Sequence, residues 1–410
     1  MAEITFIRHA ESEANATGVW NGKSDGPLSE HGESTLGALG ARLGDKKFDV
    51  VICSRLERTR RTAGVFTDQI EIDESFIEID LGRWEGWKLE RVRAEDGELL
   101  DRAVHDRNIP MGGTGETLNE AGTRVVTAVD ALAERLGEDG TAAVVTHGGL
   151  LQAVLHRHMA GRGRRVHAFT SNTAISRIVW MWGMPRLATF NDVGHLGPHP
   201  SLVRDHLEMG HPVLAMVRHG RTQANAEQRW QGRGDWGLDE LGNRQAAALA
   251  DWYGKHTLVY SSPLKRAHET AAYVASNGVK KVQDLQEVSM GEWEGFTTVE
   301  IVEKWPGLME TIYRDGVDLK RGTTGESFGE LRARVARVVD SLELAEGEPT
   351  VVVSHGGAIR SYISGLTDTD DSHAESLHTP PNTSVTHLAI TDRGPEVLDY
   401  AVATHLDSPT

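Results

Sequence analysis

Cysteine is almost missing from this 410-residue chain; the single one, Cys53, closes the apolar run "DVVIC". One thiol excludes an intrachain disulfide framework and a zinc finger built on cysteines, and a lone Cys ending an apolar run reads as a small core residue. Also missing is any apolar run near the eighteen or so residues a membrane span takes, so no membrane partner is expected. A cationic excess is absent too: 43 Lys and Arg stand against 60 Asp and Glu, a net charge of -17, which argues against nucleic acid as a partner. "MAEITFI" carries no basic stretch leading into a long apolar one, so no secretory signal is read and a cytoplasmic location is expected. An acidic protein that handles an anion must concentrate positive charge locally.

What the sequence does have is a second copy of itself. "TFIRHAESEAN" (5–15) faces "AMVRHGRTQAN" (215–225), pairing His9 with His219 and Asn15 with Asn225 at an offset of 210. "ERTRRTA" faces "KRAHETA", pairing Arg58 with Arg266 at 208, and "EIDLGRWEG" faces "EVSMGEWEG", pairing Glu78 with Glu287 at 209. "VVTHGG" faces "VVSHGG", pairing His147 with His355 at 208; "SNTAIS" faces "PNTSVT", pairing Asn172 with Asn382 at 210; and His195 recurs as His405 at 210. Ordered pairs whose offset drifts by only two residues define a tandem duplication, and a period this long is a domain rather than a solenoid repeat.

Within each copy, short continuous apolar runs such as "ITFIR", "FDVVICS", "VLAMVR" and "PTVVVSH" alternate with Ala- and Leu-rich stretches of helical period. Strands without polar alternation, separated by helices, predict a mainly parallel sheet covered on both faces. The fold class read from the sequence is α/β: two tandem three-layer α/β/α domains, each with a mainly parallel central sheet. The domains are placed at 1–197 and 213–410. Between them, 198–212 reads as a linker with a short helix; the histidines around it, His195, His199, His206 and His211, fit no zinc spacing. Paired domains of this kind suggest a monomer or a homodimer.

Ligands of open α/β sheets bind beyond the carboxyl ends of the strands. Arg8 and His9 end one strand, Arg58 follows another and His147 ends a third; Arg218, His219, Arg266 and His355 repeat the arrangement. Guanidinium forks match phosphate oxygens, and clustered cations in a partly dry pocket stabilise a transferring phosphoryl group. A neutral imidazole attacks phosphorus, leaving a phosphohistidine that water opens. The chemistry then needs a proton for the leaving oxygen, for which Glu78 and Glu287 are the candidates, with Glu85 and Glu294 as competitors. Trp84, Trp87, Trp293 and Trp305 read as core or pocket wall. "GVWNGKS" (18–24) lacks one residue of a phosphate-binding P-loop, and "GRGDWG" (232–237) matches a dinucleotide fingerprint with no strand before it; neither is read as such.

The blocks "VRHGRTQAN", "SSPLKRAHETA", "EVSMGEWEG" and "SHGG", in that order, resemble the histidine phosphatase superfamily in its phosphoglycerate mutase-like branch, present twice over nearly the whole chain. The resemblance implies nucleophiles at His9 and His219 and general acid-bases at Glu78 and Glu287. It implies phosphoryl-binding roles for Arg8, Arg58 and His147, and for Arg218, Arg266 and His355. It also implies substrate contacts at Asn15, Gly22 and Gly148, and at Asn225, Gly232 and Gly356. No metal and no cofactor is implied, and the expected partner is a small phosphorylated metabolite. The activity so implied is metal-independent phosphomonoester hydrolysis at two sites. A mutase of the same branch, or one catalytic half beside a degenerate regulatory half, are the alternatives. The intervals from Glu to the second His, 69 and 68 residues, resemble the phosphatases rather than the longer mutases.

The first copy departs from the pattern at Ala10, where the second has Gly220, and at Arg55, where it has Pro263. A positive φ at residue 10 would make that alanine costly. A basic run (Arg157, Arg162, Arg164, Arg165) against an acidic one (Asp368, Asp370, Asp371, Glu375) suggests a more anionic substrate for the first site than for the second.

Overall fold

The computed structural model describes residues 1–158, 167–367 and 376–407. Apart from Arg157, whose side chain is not described, the two charged runs just named lie outside the described residues. By their backbone contacts the residues group into two compact units, Met1–Met159 with Phe169–Pro185, and Ala160–Ala168 with Arg186–Thr410.

The first sheet is built from β1 (Glu3–Arg8), β2 (Val50–Cys53), β3 (Glu71–Ile72), β4 (Thr141–Thr146), β5 (Ile175–Met181) and β6 (Met184–Asp192), in the order β3-β2-β4-β1-β5-β6. The second uses β7 (Val213–Arg218), β8 (Val259–Ser261), β9 (Lys280–Lys281), β10 (Thr350–Ser354), β11 (Val385–Thr391) and β12 (Gly394–Val397), in the order β9-β8-β10-β7-β11-β12. Strand for strand the two orders are the same. β1 runs parallel to β4 with Arg8 opposite Thr146, and β7 parallel to β10 with Arg218 opposite Ser354. β5 and β11 return antiparallel on the other side. The parallel strands β1, β4 and β10 at the sheet centres are buried on both faces, as their unbroken apolar runs require, whereas the parallel edge strands β3 and β9 are exposed.

Helices pack on these faces and start where the sequence supplies caps. Ser29 accepts the Gly32 amide ahead of the helix Glu30–Leu43, while Thr117 with Glu120 and Ser327 with Glu330 form capping boxes for Leu118–Leu136 and Phe328–Ser341. Ile7, Leu39, Val51 and Val145 form the core of the first repeat with Cys53, whose thiol burial pushes up to about 11, an inert core residue. Trp84 and Trp293 are fully buried. The connector carries the helix Ser201–Glu208.

The consequence for function is convergence. β1 and β4 end side by side, with the turn after β2 next to them, so Arg8-His9, Ser54 to Arg58 and His147 meet at one sheet edge.

Candidate active site

In each repeat the two histidines lie against each other at the strand ends. The His9 and His147 ring centroids are 5.1 Å apart, and so are those of His219 and His355. The His9 amide donates to Thr146 O at 3.0 Å, carrying the sheet one residue past β1, and the His219 amide does the same to Ser354 O at 3.0 Å. Nδ1 of His9 is 2.7 Å from Ala10 O and Nδ1 of His219 is 2.7 Å from Gly220 O. A carbonyl only accepts, so Nδ1 carries the proton and Nε2 keeps a lone pair. Burial, and then the positive charge around them (the paired histidine for His147, an adjacent arginine for the others), hold all four imidazoles well below their usual pKa, so they are neutral at pH 7. A neutral imidazole with Nε2 free is the form that attacks phosphorus.

Arg58 is buried at the start of the helix Glu57–Ala63 and donates to Ser24 O at 2.8 Å and Gly22 O at 2.7 Å. Arg266 repeats this with Gly234 O at 2.7 Å and Gly232 O at 2.8 Å. Their Nε atoms differ slightly: Arg58 Nε donates to His147 Nδ1 and Arg266 Nε to His219 Nε2, each at 3.3 Å. Arg8 donates Nη1 to Thr170 O, and Arg218 to Pro380 O at 2.7 Å. The Nε atoms of both are buried with no partner among the described residues, as is Nδ1 of His355. A buried unpaired donor is costly, and an anion at these strand ends would satisfy the Arg8 and Arg218 Nε groups. Burial pulls the Arg218 guanidinium down to about 10, so it remains a cation at neutral pH.

The strand-end histidines after β4 and β10 are oriented by serines: His147 Nε2 lies 2.9 Å from Ser54 Oγ and His355 Nε2 2.8 Å from Ser262 Oγ. Thr62 accepts the Ala10 amide at 2.9 Å while donating to Arg58 O, and Thr270 does the same for Gly220 and Arg266, tying each arginine helix to the residue after His9 or His219.

Glu78 accepts the amides of Ile79 (2.9 Å) and Leu150 (3.1 Å) on Oε1 and of Gly149 (3.0 Å) on Oε2; Glu287 accepts Val288 and Gly357, each at 2.8 Å. Each carboxyl group therefore sits at the N-terminus of the helix that begins after the second histidine. A Cβ on Gly149 would lie 2.7 Å from Glu78 Oε1, so the glycine pair after His147 is what admits the carboxylate. Behind it, Arg124 holds Ser75 O and Ile77 O with a bidentate grip on Glu116, as Arg334 holds Asp284 O and Gln286 O with Glu326.

Glu85 and Glu294 serve differently. Glu85 accepts the amides of Gly22 and Ser24, and Glu294 those of Gly232, Arg233 and Gly234. They hold the loops whose carbonyls hold Arg58 and Arg266. The amides of Gly22 and Gly232 are thus committed within the protein, and a Cβ there would meet Ile79 O at 2.3 Å or Val288 O at 2.6 Å. The amides of Gly148 and Gly356 begin their helices beside Arg8 and Arg218, an N-terminal position suited to an anion. Asn15 and Asn225 each close a capping box with the residue three before, using Oδ1.

Neither Ala10 nor Gly220 has positive φ, so the alanine is tolerated; it is fully buried against Leu28 and Leu36. Arg55 pairs with Glu74 at 2.7 Å at the surface. Sequence reasoning missed the serines and threonines that orient the site, because a hydroxyl among many carries no periodic signal. Asn172 and Asn382 recurred in the sequence, but only as markers of the repeat.

Both repeats match the family described as histidine phosphatase superfamily (branch 1), over residues 4–193 and 214–403. The chain belongs to that superfamily. The metal-independent phosphoserine phosphatase of Arabidopsis thaliana is 33% identical over 203 residues, covering 48% of this chain and 83% of that protein. The glucosyl-3-phosphoglycerate phosphatase of Mycobacterium tuberculosis is 33% identical over 190 residues, 43% of this chain and 84% of that protein. The solved structure of mycobacterial glucosyl-3-phosphoglycerate phosphatase with VO3 is 30% identical, covering 47% of this chain and 98% of that one with a TM-score of 0.42. Among the described residues no helix is long and apolar enough to cross a membrane, and no group of three or more His, Cys, Asp or Glu is arranged to hold a metal ion.

Proposed function

We propose that the chain is a phosphatase with two working sites, hydrolysing small phosphorylated metabolites through a phosphohistidine, without a metal. Its two domains are taken as 1–197 and 213–410. The observation that carries this reading is the twofold occurrence of a neutral histidine whose Nε2 bears no proton, with a buried arginine before it, Arg8 or Arg218, whose Nε has no partner among the described residues. The names of the relatives, phosphatases of phosphoserine and glucosyl-3-phosphoglycerate, support the substrate class.

In the first repeat, Nε2 of His9 attacks phosphorus as the ester P–O bond breaks. Arg8, Arg58, Asn15 and the Gly148 amide stabilise the phosphoryl oxygens, and Glu78 gives its proton to the leaving oxygen. Glu78 then takes a proton from water, whose oxygen forms the new P–O bond as P–N breaks, restoring His9 and releasing inorganic phosphate. His219, Arg218, Arg266, Asn225, Gly356 and Glu287 repeat these steps. The two arginines supply the positive charge this chemistry needs.

The test is turnover on a panel of phosphate monoesters in the presence of a chelator, with the wild-type chain, the single variants His9→Ala and His219→Ala, and the double variant. Both single variants retaining turnover that the double variant lacks is the expected result. Turnover surviving in the double variant, or lost on chelation, overturns the reading. Product analysis with phosphoglycerates separates hydrolysis from mutase chemistry.

A further inference from the structure

Behind each nucleophile lies a turn to which the proposed mechanism gives no task. Asn382 Nδ2 donates to His219 O at 2.8 Å and to Asn225 Oδ1 at 3.4 Å, and Asn172 Nδ2 donates to His9 O at 2.9 Å and to Asn15 Oδ1 at 3.3 Å. The next residue, Thr383 or Thr173, is buried with φ of 58° or 59°, a left-handed conformation unfavourable for a β-branched side chain. Its amide is spent on the same strand end, Thr383 N donating to Arg218 O at 2.9 Å and Thr173 N to Arg8 O at 3.1 Å. Strain of this kind persists where the surroundings over-determine it, and it clusters at functional sites.

The polarity of these bonds has a consequence for the neighbouring asparagine. Asn225 Oδ1 accepts from Asn382 Nδ2, the Thr222 amide and the Thr222 hydroxyl, and Asn15 Oδ1 accepts from Asn172 Nδ2 and the Ser12 amide. With Oδ1 surrounded by donors, the amide cannot turn over, and Nδ2, which donates to no group among the described residues, is left facing away from them. In the second repeat the Thr383 hydroxyl donates to Asn382 O at 2.7 Å, and His405 Nε2, from the turn Thr404–Leu406, lies 2.9 Å from it.

We propose that Asn172 and Asn382 are positioning residues that fix the backbone of the nucleophilic histidine and lock the Asn15 and Asn225 amides with Nδ2 toward a phosphoryl oxygen. This rests on the phosphotransfer reading above. The test uses the full chain with His9→Ala, so that only the second site reports, and compares Asn382→Ala, Asn382→Asp, Asn225→Ala and the double Asn382→Ala/Asn225→Ala. Readouts are kcat/KM and the Kd of orthovanadate. Asn382→Ala is expected to lower kcat/KM about 30-fold alone and about fivefold or less when Asn225 is already Ala, because contacting residues couple. Asn382→Asp, the same shape with its donor replaced by an acceptor, is expected to be at least as damaging as Asn382→Ala.

Equal losses in both backgrounds, or an Asn382→Asp chain with wild-type kcat/KM and vanadate affinity, would overturn the assignment. If the chain with Asn382 intact turns nothing over, the phosphotransfer reading fails, and the vanadate series alone decides whether Asn382 acts through Asn225. Should Asn382 variants not fold, Asn172→Ala and Asn172→Asp in a His219→Ala chain, with and without Asn15→Ala, give the same comparison.

Discussion

Under the proposed function Glu287 and Glu294, both near His219, have different tasks, and replacing each by glutamine separates them. Glu294 accepts three amides in the loop 232–234, and that loop gives Arg266 both of its carbonyl anchors. A glutamine keeps one oxygen: two amides retain neutral bonds, and one faces a donor. Hydrogen bonds to a charged acceptor contribute about 1.5–3 kcal/mol each and neutral ones about 1, so the loss comes to roughly 2.5–7 kcal/mol, toward the lower end where water enters this partly exposed loop. Glu294→Gln in a His9→Ala chain should therefore weaken vanadate binding and raise KM, by the same factor for p-nitrophenyl phosphate as for an alkyl phosphate. Glu287→Gln should leave vanadate affinity within about threefold but lower kcat by about 10²–10⁴ for the alkyl ester, whose leaving oxygen needs a proton, and far less for p-nitrophenyl phosphate, whose leaving oxygen does not. A loss in Glu294→Gln that grows as the leaving group worsens, with none in Glu287→Gln, would refute this division of roles.

Burial depresses His405 to about 4 from 6.5, so the folded state resists a proton that the unfolded chain accepts. The stability it contributes is intact above pH 6.5 and falls as pH drops toward 4, by about 2.5 kcal/mol at pH 4.5; urea unfolding at pH 7 and 4.5 should show this loss shrinking in His405→Gln. The pocket histidines, also depressed by burial, push in the same direction. Gly220→Ala is expected to cost about 1–3 kcal/mol although Ala10 is native in the other repeat, because its Cβ would lie 2.7 Å from Gly242 O; thermal denaturation checks it, and an unchanged Tm contradicts it. Gly22→Ala should shift the loop that holds Arg58 and abolish turnover in a His219→Ala chain while sparing the second site of a His9→Ala chain.

The duplication, the parallel sheets and the strand-end gathering of arginines and histidines were legible because each leaves a run or a recurring block in the chain. The side chains that hold the site in shape were not. Ser54 meets His147 across 93 residues and Asn172 meets His9 across 163, and nothing local marks either partner. Glu78 and Glu85 are seven residues apart in one block, yet one reaches the helix after His147 and the other the loop at Gly22, a difference made by the turn at Gly82, where φ is 55°. The alanine after His9 could not be judged from sequence, since its cost depended on a backbone angle. β6 falls largely in the second compact unit, whereas the duplication counts it with the first repeat. The strand alone does not announce where its contacts lie.

The most direct test of two working sites is to find the phosphate. A chain mixed with a phosphate ester, quenched rapidly without acid and digested for peptide mass spectrometry should carry phosphate on His219 in the His9→Ala variant and on His9 in the His219→Ala variant. Turnover by either variant with its remaining histidine never labelled, even when Glu78→Gln or Glu287→Gln slows release of phosphate from that site, would contradict the account.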